Sequence, residues 1–328
     1  MIVSKTPLRL SFVGGGSDLP AFYREEPGAV LSTTIDKYMY IAVNRKFDGR
    51  IRVSYTRTEE VDSPTQVEHP LVREALGLAG VEGGIEIASM ADIPSRGSGL
   101  GSSSSYTVGL LNALYAYRNR FASKDTLARQ ACEIEIDRCG EPIGKQDQYA
   151  AAFGGLNLIR FEPDDSVSVD PVICRPELLS ALESSMLVFF TGRTRSASAV
   201  LAQQSKAMQG ESRRRLVRRM VQLAFDLKTE IESGSIDALG TILDENWRLK
   251  SQLTSGITDP QIDDWYLTGM RHGARGGKIL GAGNGGFLLF IAPPDRHPVI
   301  TAALADLKPT RLRLDRTGSQ IVFYQPSE

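Results

Sequence analysis

The stretch Gly97-Ser98-Gly99-Leu100-Gly101-Ser102-Ser103-Ser104-Ser105 constrains this chain more than any other. Three glycines at alternate positions let the backbone take left-handed conformations and come close to a ligand. The serines lead into Val108, Leu111, Leu114 and Tyr115, spaced three and four apart as on one buried helix face. A glycine loop that opens a helix presents free N–H groups and the positive end of the helix dipole, which favour an anion such as phosphate. The common P-loop is excluded, because it needs Gly-Lys where this chain, five residues after Gly97, has Ser102. A flexible surface connection has the same composition, so the local reading leaves both open.

Composition narrows the partners. Thirty-eight Lys plus Arg against thirty-nine Asp plus Glu leave a net charge of -1, which gives no field to hold nucleic acid or an anionic membrane. The apolar runs 186–190 and 287–292 are far shorter than the roughly 18 residues of a membrane span and read as buried strands. The N-terminus meets a charge and a proline too early for a signal peptide, so the expected location is the cytosol. Cys132, Cys139 and Cys174 lack a C-x-x-C pair, and His69, His272 and His297 show no ligand spacing; neither a disulfide framework nor a zinc site is expected.

At roughly 100 to 200 residues per domain, 328 residues make one large or two ordinary domains. Residues 1 to 60 read as strands at 8–13, 29–35, 38–43 and 50–55. A short helix at 69–78, a strand at 85–90, a helix capped by Asp125 and running to Arg138, and a helix at 145–153 follow. After a boundary expected near 178, long helical patterns cover 196–232 and 236–253 between apolar strands. Helix and strand mix without strict βαβ alternation, so the expected class is α+β, with units 1–178 and 179–328.

Two carboxylates flank the connection after the second helix, Glu135 and Asp147. A carboxylate can take a proton from an attacking hydroxyl or hold magnesium, and phosphoryl transfer needs both tasks done; spacing alone does not separate these roles from an ordinary solvated surface. Arg9 and Asp18 bracket the Gly14-Gly15-Gly16 turn. A guanidinium near a carboxylate keeps it ionised, and an Asp after a glycine turn suits sugar hydroxyls, although a plain hairpin would look alike. Gly281 to Gly286 either let two backbones pack closely or line the same site. The basic run Arg213–Arg219 is threaded by Leu216, Met220, Leu223 and Leu227, so its arginines read as a solvated helix face.

Together these pieces resemble the GHMP small-molecule kinases. Thr6-Pro7-Leu8-Arg9 through Asp18 is similar to the family's first motif, Pro94 through Ser105 to its Gly-Leu-Gly-Ser-Ser signature, and Gly281–Gly286 to its C-terminal glycine motif. The resemblance implies a two-domain fold, with an N-terminal domain like domain 2 of ribosomal protein S5 and a ferredoxin-like C-terminal domain. It further implies ATP and Mg2+ as cofactors. Pro94, Gly97, Ser98, Gly99, Leu100, Gly101, Ser102, Ser103 and Ser104 would bind ATP, and Ser103 and Glu135 would hold the metal. Asp147, in Gly-Lys-Gln-Asp-Gln, would be the catalytic base with Arg9 beside it; Asp18, Gly15 and Gly16 would bind the acceptor.

Galactokinases usually carry Gly-Glu-His-x-Asp where this chain has Gly-Gly-Gly-Ser-Asp18, which disfavours galactose. The phrases TPLRLSFVGGGSDLPAFY, AVLSTTIDKY and EPIGKQDQYAAAFGG resemble instead the branch acting on D-glycero-D-manno-heptose 7-phosphate at its anomeric hydroxyl, on the way to surface polysaccharide. The distal phosphate of that substrate needs a cation; Arg195 is the expected one, with Arg193 or Lys145 behind it. The rivals are a fucokinase-like sugar 1-kinase and a catalytically silent sugar sensor on the same fold. The expected partners are a small sugar phosphate and ATP, with oligomeric state left open.

Overall fold

A computed structural model describes residues 1–93, 97–194 and 197–326, and of Ala197 the backbone alone. Two sheets carry the fold. Within the first, neighbouring strands run in the order Gln320–Tyr324, Ile2–Val13, Gly28–Arg45, Ile85–Ala91, Ile51–Ser54 and Thr58–Val61, while Asn157–Phe161, Val167–Pro171 and Leu314–Asp315 pair to one side. All pairs are antiparallel except Ile51–Ser54 with Ile85–Ala91. The second sheet orders Lys308–Pro309, Met186–Phe190, Phe287–Ile291 and Gly276–Ile279, all antiparallel. The class is α+β, as the mixed patterns implied.

The two strands expected at 29–35 and 38–43 are one, Gly28–Arg45. Asp36 and Lys37 read as a turn, yet the register steps from Pro7↔Tyr38 to Leu8↔Ile35, so both sit in a bulge that lets the long strand bend. Asp36 N–H donates to Arg313 O, which satisfies the bulged backbone. The helix expected from Asp125 to Arg138 is Lys124–Cys132 capped by Ser123, whose hydroxyl accepts from Thr126 N–H; Asp125 lies in its first turn. A π-helical segment, Glu133–Arg138, then carries Glu135. The pattern at 196–232 is two helices, Ala197–Ala207 and Glu211–Glu232, broken before Gly210.

Residues 314–324, which the sequence groups with the second half, complete the first sheet beside Ile2–Val13 and Gly28–Arg45. The halves also share a core: Leu8, Leu10 and Phe12 pack with Met186, Val188, Leu280 and Phe287. On Glu211–Glu232, Met220, Leu223 and Leu227 are buried, whereas Arg214, Arg218 and Arg219 face Glu25, Glu26 and Glu245. Among the described residues no helix is long and apolar enough to cross a membrane.

Candidate active site

The helix Ser102–Tyr117 starts at Gly101, which is left-handed at φ +75°. A side chain on Gly101 would also be crowded, since a Cβ would lie 3.0 Å from Arg9 Cγ and 3.3 Å from Asp147 Oδ2. The glycine loop is thus pressed directly onto the proposed base and its arginine. The strand Ile2–Val13 delivers Arg9 from the other side, and its backbone N–H donates to Leu100 O at 3.0 Å. The guanidinium donates from Nε to Asp147 Oδ1 and from Nη2 to Oδ2, both at 2.7 Å, and from Nη1 to Gly99 O at 2.5 Å. This two-pronged pairing fixes the carboxylate plane. Arg9 is 5% exposed and Asp147 22%, so the carboxylate is partly open to solvent while its partner is not.

Glu135 is fully buried and accepts four hydrogen bonds: from Ser103 and Ser104 at 2.8 Å, Thr107 at 3.1 Å and Gln148 at 2.5 Å. Burial pushes its carboxyl above the ordinary range, and the four donors pull it part of the way back. Ser103 is exposed at the start of the helix, and its hydroxyl donates to the buried Glu135 Oε1.

Asp18 is held by Gly16 N–H at 2.9 Å and by Gln146 Nε2 at 3.0 Å, and burial raises its pKa. Gln146, whose carbonyl accepts from Ser11 Oγ at 2.7 Å, therefore links Asp18 to the helix that carries Asp147. Gly144 brings that connection against Asp18: a Cβ there would lie 2.0 Å from Asp18 Oδ2.

The second glycine cluster serves close packing. A Cβ on Gly281 would sit 2.5 Å from Gly99 Cα, and one on Gly286 would sit 2.4 Å from Ser98 O, so the C-terminal segment braces the loop from behind. Sequence reasoning missed the polar residues that meet the Gly14–Gly16 turn from the second half. Asn246 Oδ1 accepts from Gly14 N–H at 3.1 Å, and Lys250 Nζ donates to Gly281 O at 2.7 Å. Burial lowers Lys250 to about 8, against an opposing pull from Asp18. The signal was there: Leu239, Leu243, Asn246 and Lys250 form one buried stripe of the helix Leu239–Ser251, and two polar residues in such a stripe are costly unless used.

The distal-phosphate candidates fare differently. Arg193 is paired with Asp259 at 2.8 Å, and Lys145 is paired with Asp165 at 2.8 Å and stacked over Tyr23. Arg195 and Pro94 lie outside the described residues. A cavity of about 640 Å³, lined by Thr33, Leu156, Glu183, Arg311 and Arg316 among others, contains none of the expected site residues.

A helix-opening glycine loop, a carboxylate gripped by an arginine against that loop, and a hydroxyl–carboxylate pair at the start of that helix are the kinds of group phosphoryl transfer uses. The N-terminal GHMP kinase domain model matches residues 67–155 and the C-terminal one residues 227–307, together over half of the chain. The chain belongs to the GHMP kinases and is a phosphotransferase acting on a hydroxyl group.

Among relatives, it is 29% identical to the D-glycero-alpha-D-manno-heptose 7-phosphate kinase of Campylobacter jejuni, over 92% of this chain and 93% of that protein. It is 28% identical to the bifunctional fucokinase/GDP-fucose pyrophosphorylase of Arabidopsis thaliana, over 87% of this chain and 29% of that protein. The crystal structure of a D-glycero-D-manno-heptose 1-phosphate kinase from Bacteriodes thetaiotaomicron superimposes with a TM-score of 0.80 at 28% identity, covering 98% of this chain and 99% of that one.

Proposed function

We propose that this protein transfers the γ-phosphoryl group of ATP to the anomeric O1 of D-glycero-D-manno-heptose 7-phosphate, giving the 1,7-bisphosphate. The observation that carries the reading is the pair of 2.7 Å bonds from Arg9 to Asp147 directly against Gly101. It sets a carboxylate held by a guanidinium beside the glycine loop, which supports a base next to bound ATP with the acceptor lying on Gly15, Gly16 and Asp18. Asp147 accepts the O1 proton, Arg9 holds Asp147 in position and balances charge on the transferring group, and Asp18 binds sugar hydroxyls. Residues 97 to 104 hold the triphosphate through backbone N–H groups and serine hydroxyls. Residues 1–178 supply most of this machinery and residues 179–328 enclose it.

Ser103 and Glu135 fit Mg2+ on donor chemistry: one hydroxyl and one carboxylate, both hard oxygens, 2.8 Å apart. No cluster of three or more acidic, His or Cys ligands occurs among the described residues, which suits an ion that completes its shell with phosphates and water. When bound, it would neutralise phosphate charge. Arg195 is retained as the proposed partner of the substrate's distal phosphate, since Arg193 and Lys145 are already engaged.

The full-length likeness to the Campylobacter jejuni enzyme supports the heptose substrate; the likeness to the plant fucokinase supports the second reading, a free-sugar 1-kinase. Incubation with ATP, magnesium and a panel of sugars and sugar phosphates, followed by phosphorus NMR, separates them. A new anomeric phosphate formed preferentially on the heptose 7-phosphate is expected. Preferential turnover of fucose or another unphosphorylated sugar would overturn the substrate assignment.

A further inference from the structure

Three polar side chains from the second half of the chain converge on the Gly14–Gly16 turn, and each is at least nine-tenths buried. Lys250 is 4% exposed and Asn246 and Gln204 are fully buried. A Cβ on Gly15 would lie 3.5 Å from Lys250 Nζ and 3.8 Å from Gln146 Nε2, and one on Gly16 would lie 3.6 Å from Gln204 Oε1. Each side chain also has bonding capacity left over. Among the described residues Lys250 makes no ion pair, and its one hydrogen bond, to Gly281 O, uses one of three protons. Asn246 Nδ2 and Gln204 Oε1 have no partner among the described residues, although the other ends of both amides are engaged, on Gly14 N–H and on Ala282 O. Leaving two protons of a buried amine and one end of each of two buried amides unmet is costly for a structural core, and such groups collect where a ligand completes them.

We infer that Lys250, flanked by Asn246 and Gln204, forms the C-terminal wall of the acceptor site and donates to an oxygen of the hydroxyl-bearing acceptor. The inference rests on the reading that the Gly15–Asp18 turn receives the acceptor. It assigns recognition to residues outside the motifs, on the helices Ala197–Ala207 and Leu239–Ser251. Lys250 also ties this wall to the Gly281 segment that braces the glycine loop, so acceptor contact and loop support meet in one side chain.

The test is a KM split in Lys250→Met, assayed on whichever sugar or sugar phosphate gives the fastest ADP release. A failure of the heptose assignment then shows as a different best acceptor, while the split remains readable. The acceptor KM is expected to rise roughly 10- to 100-fold, the loss of one charged hydrogen bond, with the ATP KM within about twofold of wild type. Lys250→Arg is expected to recover part of the loss. Thermal melting is expected to show the Met variant about as stable as wild type, because it removes a buried amine that makes no ion pair among the described residues and gives up one hydrogen bond to Gly281 O. If the Met variant does not fold, Lys250→Gln, which keeps a donor for Gly281 O, carries the same comparison. An unchanged acceptor KM in a folded variant, or acceptor and ATP KM rising together, would overturn the inference.

Discussion

Arg9 grips Asp147 by both carboxylate oxygens while its third donor holds Gly99 O, so one guanidinium fixes the Asp147 carboxylate and the glycine loop relative to each other. A lysine supplies the charge but not the fork. Arg9→Lys is therefore expected to keep the fold and lower kcat by about 10- to 100-fold, checked by steady-state kinetics with circular dichroism as the control.

Gly101 is the point where a left-handed backbone strains any side chain and Arg9 and Asp147 crowd it. Gly101→Ala should destabilise the protein by about 1–3 kcal/mol and raise the ATP KM, as the loop shifts off Arg9. Urea titration and ATP-dependent kinetics read the two effects separately.

Glu135 binds its proton more tightly in the folded protein than in the unfolded chain, because burial outweighs its four donors. Its contribution to stability is accordingly full below the ordinary carboxylate range and lost as pH rises through the raised folded value. Glu135→Gln keeps the shape without the charge. The variant should gain in melting temperature over wild type as pH rises from about 4 to 7, while needing more magnesium for half-maximal rate.

Lys250 faces Asp18, Asp147 and Arg9, with Lys278 behind it, and burial brings it to about 8. The protonated form is the one that donates and carries charge, so kcat/KM for the acceptor should fall as pH rises through about 8. In Lys250→Arg, which stays charged throughout, that alkaline limb should be missing from the pH–rate profile.

The family was legible because its motifs are local in sequence. The glycine loop, Arg9, Asp18, Glu135 and Asp147 each sit in or near a short run that resembles a family motif, although residue type and spacing alone left their roles open. What the sequence did not show depends on contacts across the chain. Asp36-Lys37 looked like a turn because a bulge uses the same residues; only pairing with Ile2–Val13 makes it one strand. The return of Gln320–Tyr324 to the first sheet has no local signal at all, since register with Ile2–Val13 is set by the fold. Likewise Gln146 and Lys250 stood unassigned, although Gln146 bridges to Asp18 and Lys250 lies in a buried stripe of its helix. Gly281 and Gly286 could not be assigned to packing until Gly99 and Ser98 were found against them.

The most direct measurement is the turnover of Asp147→Asn, which keeps the side-chain shape and removes the proton acceptor. With the fold and ATP binding intact, kcat should drop by about 10²- to 10⁴-fold, the usual contribution of a positioned general base. A folded Asp147→Asn protein that turns over at the wild-type rate would contradict the assignment of Asp147 as the group that takes the hydroxyl proton.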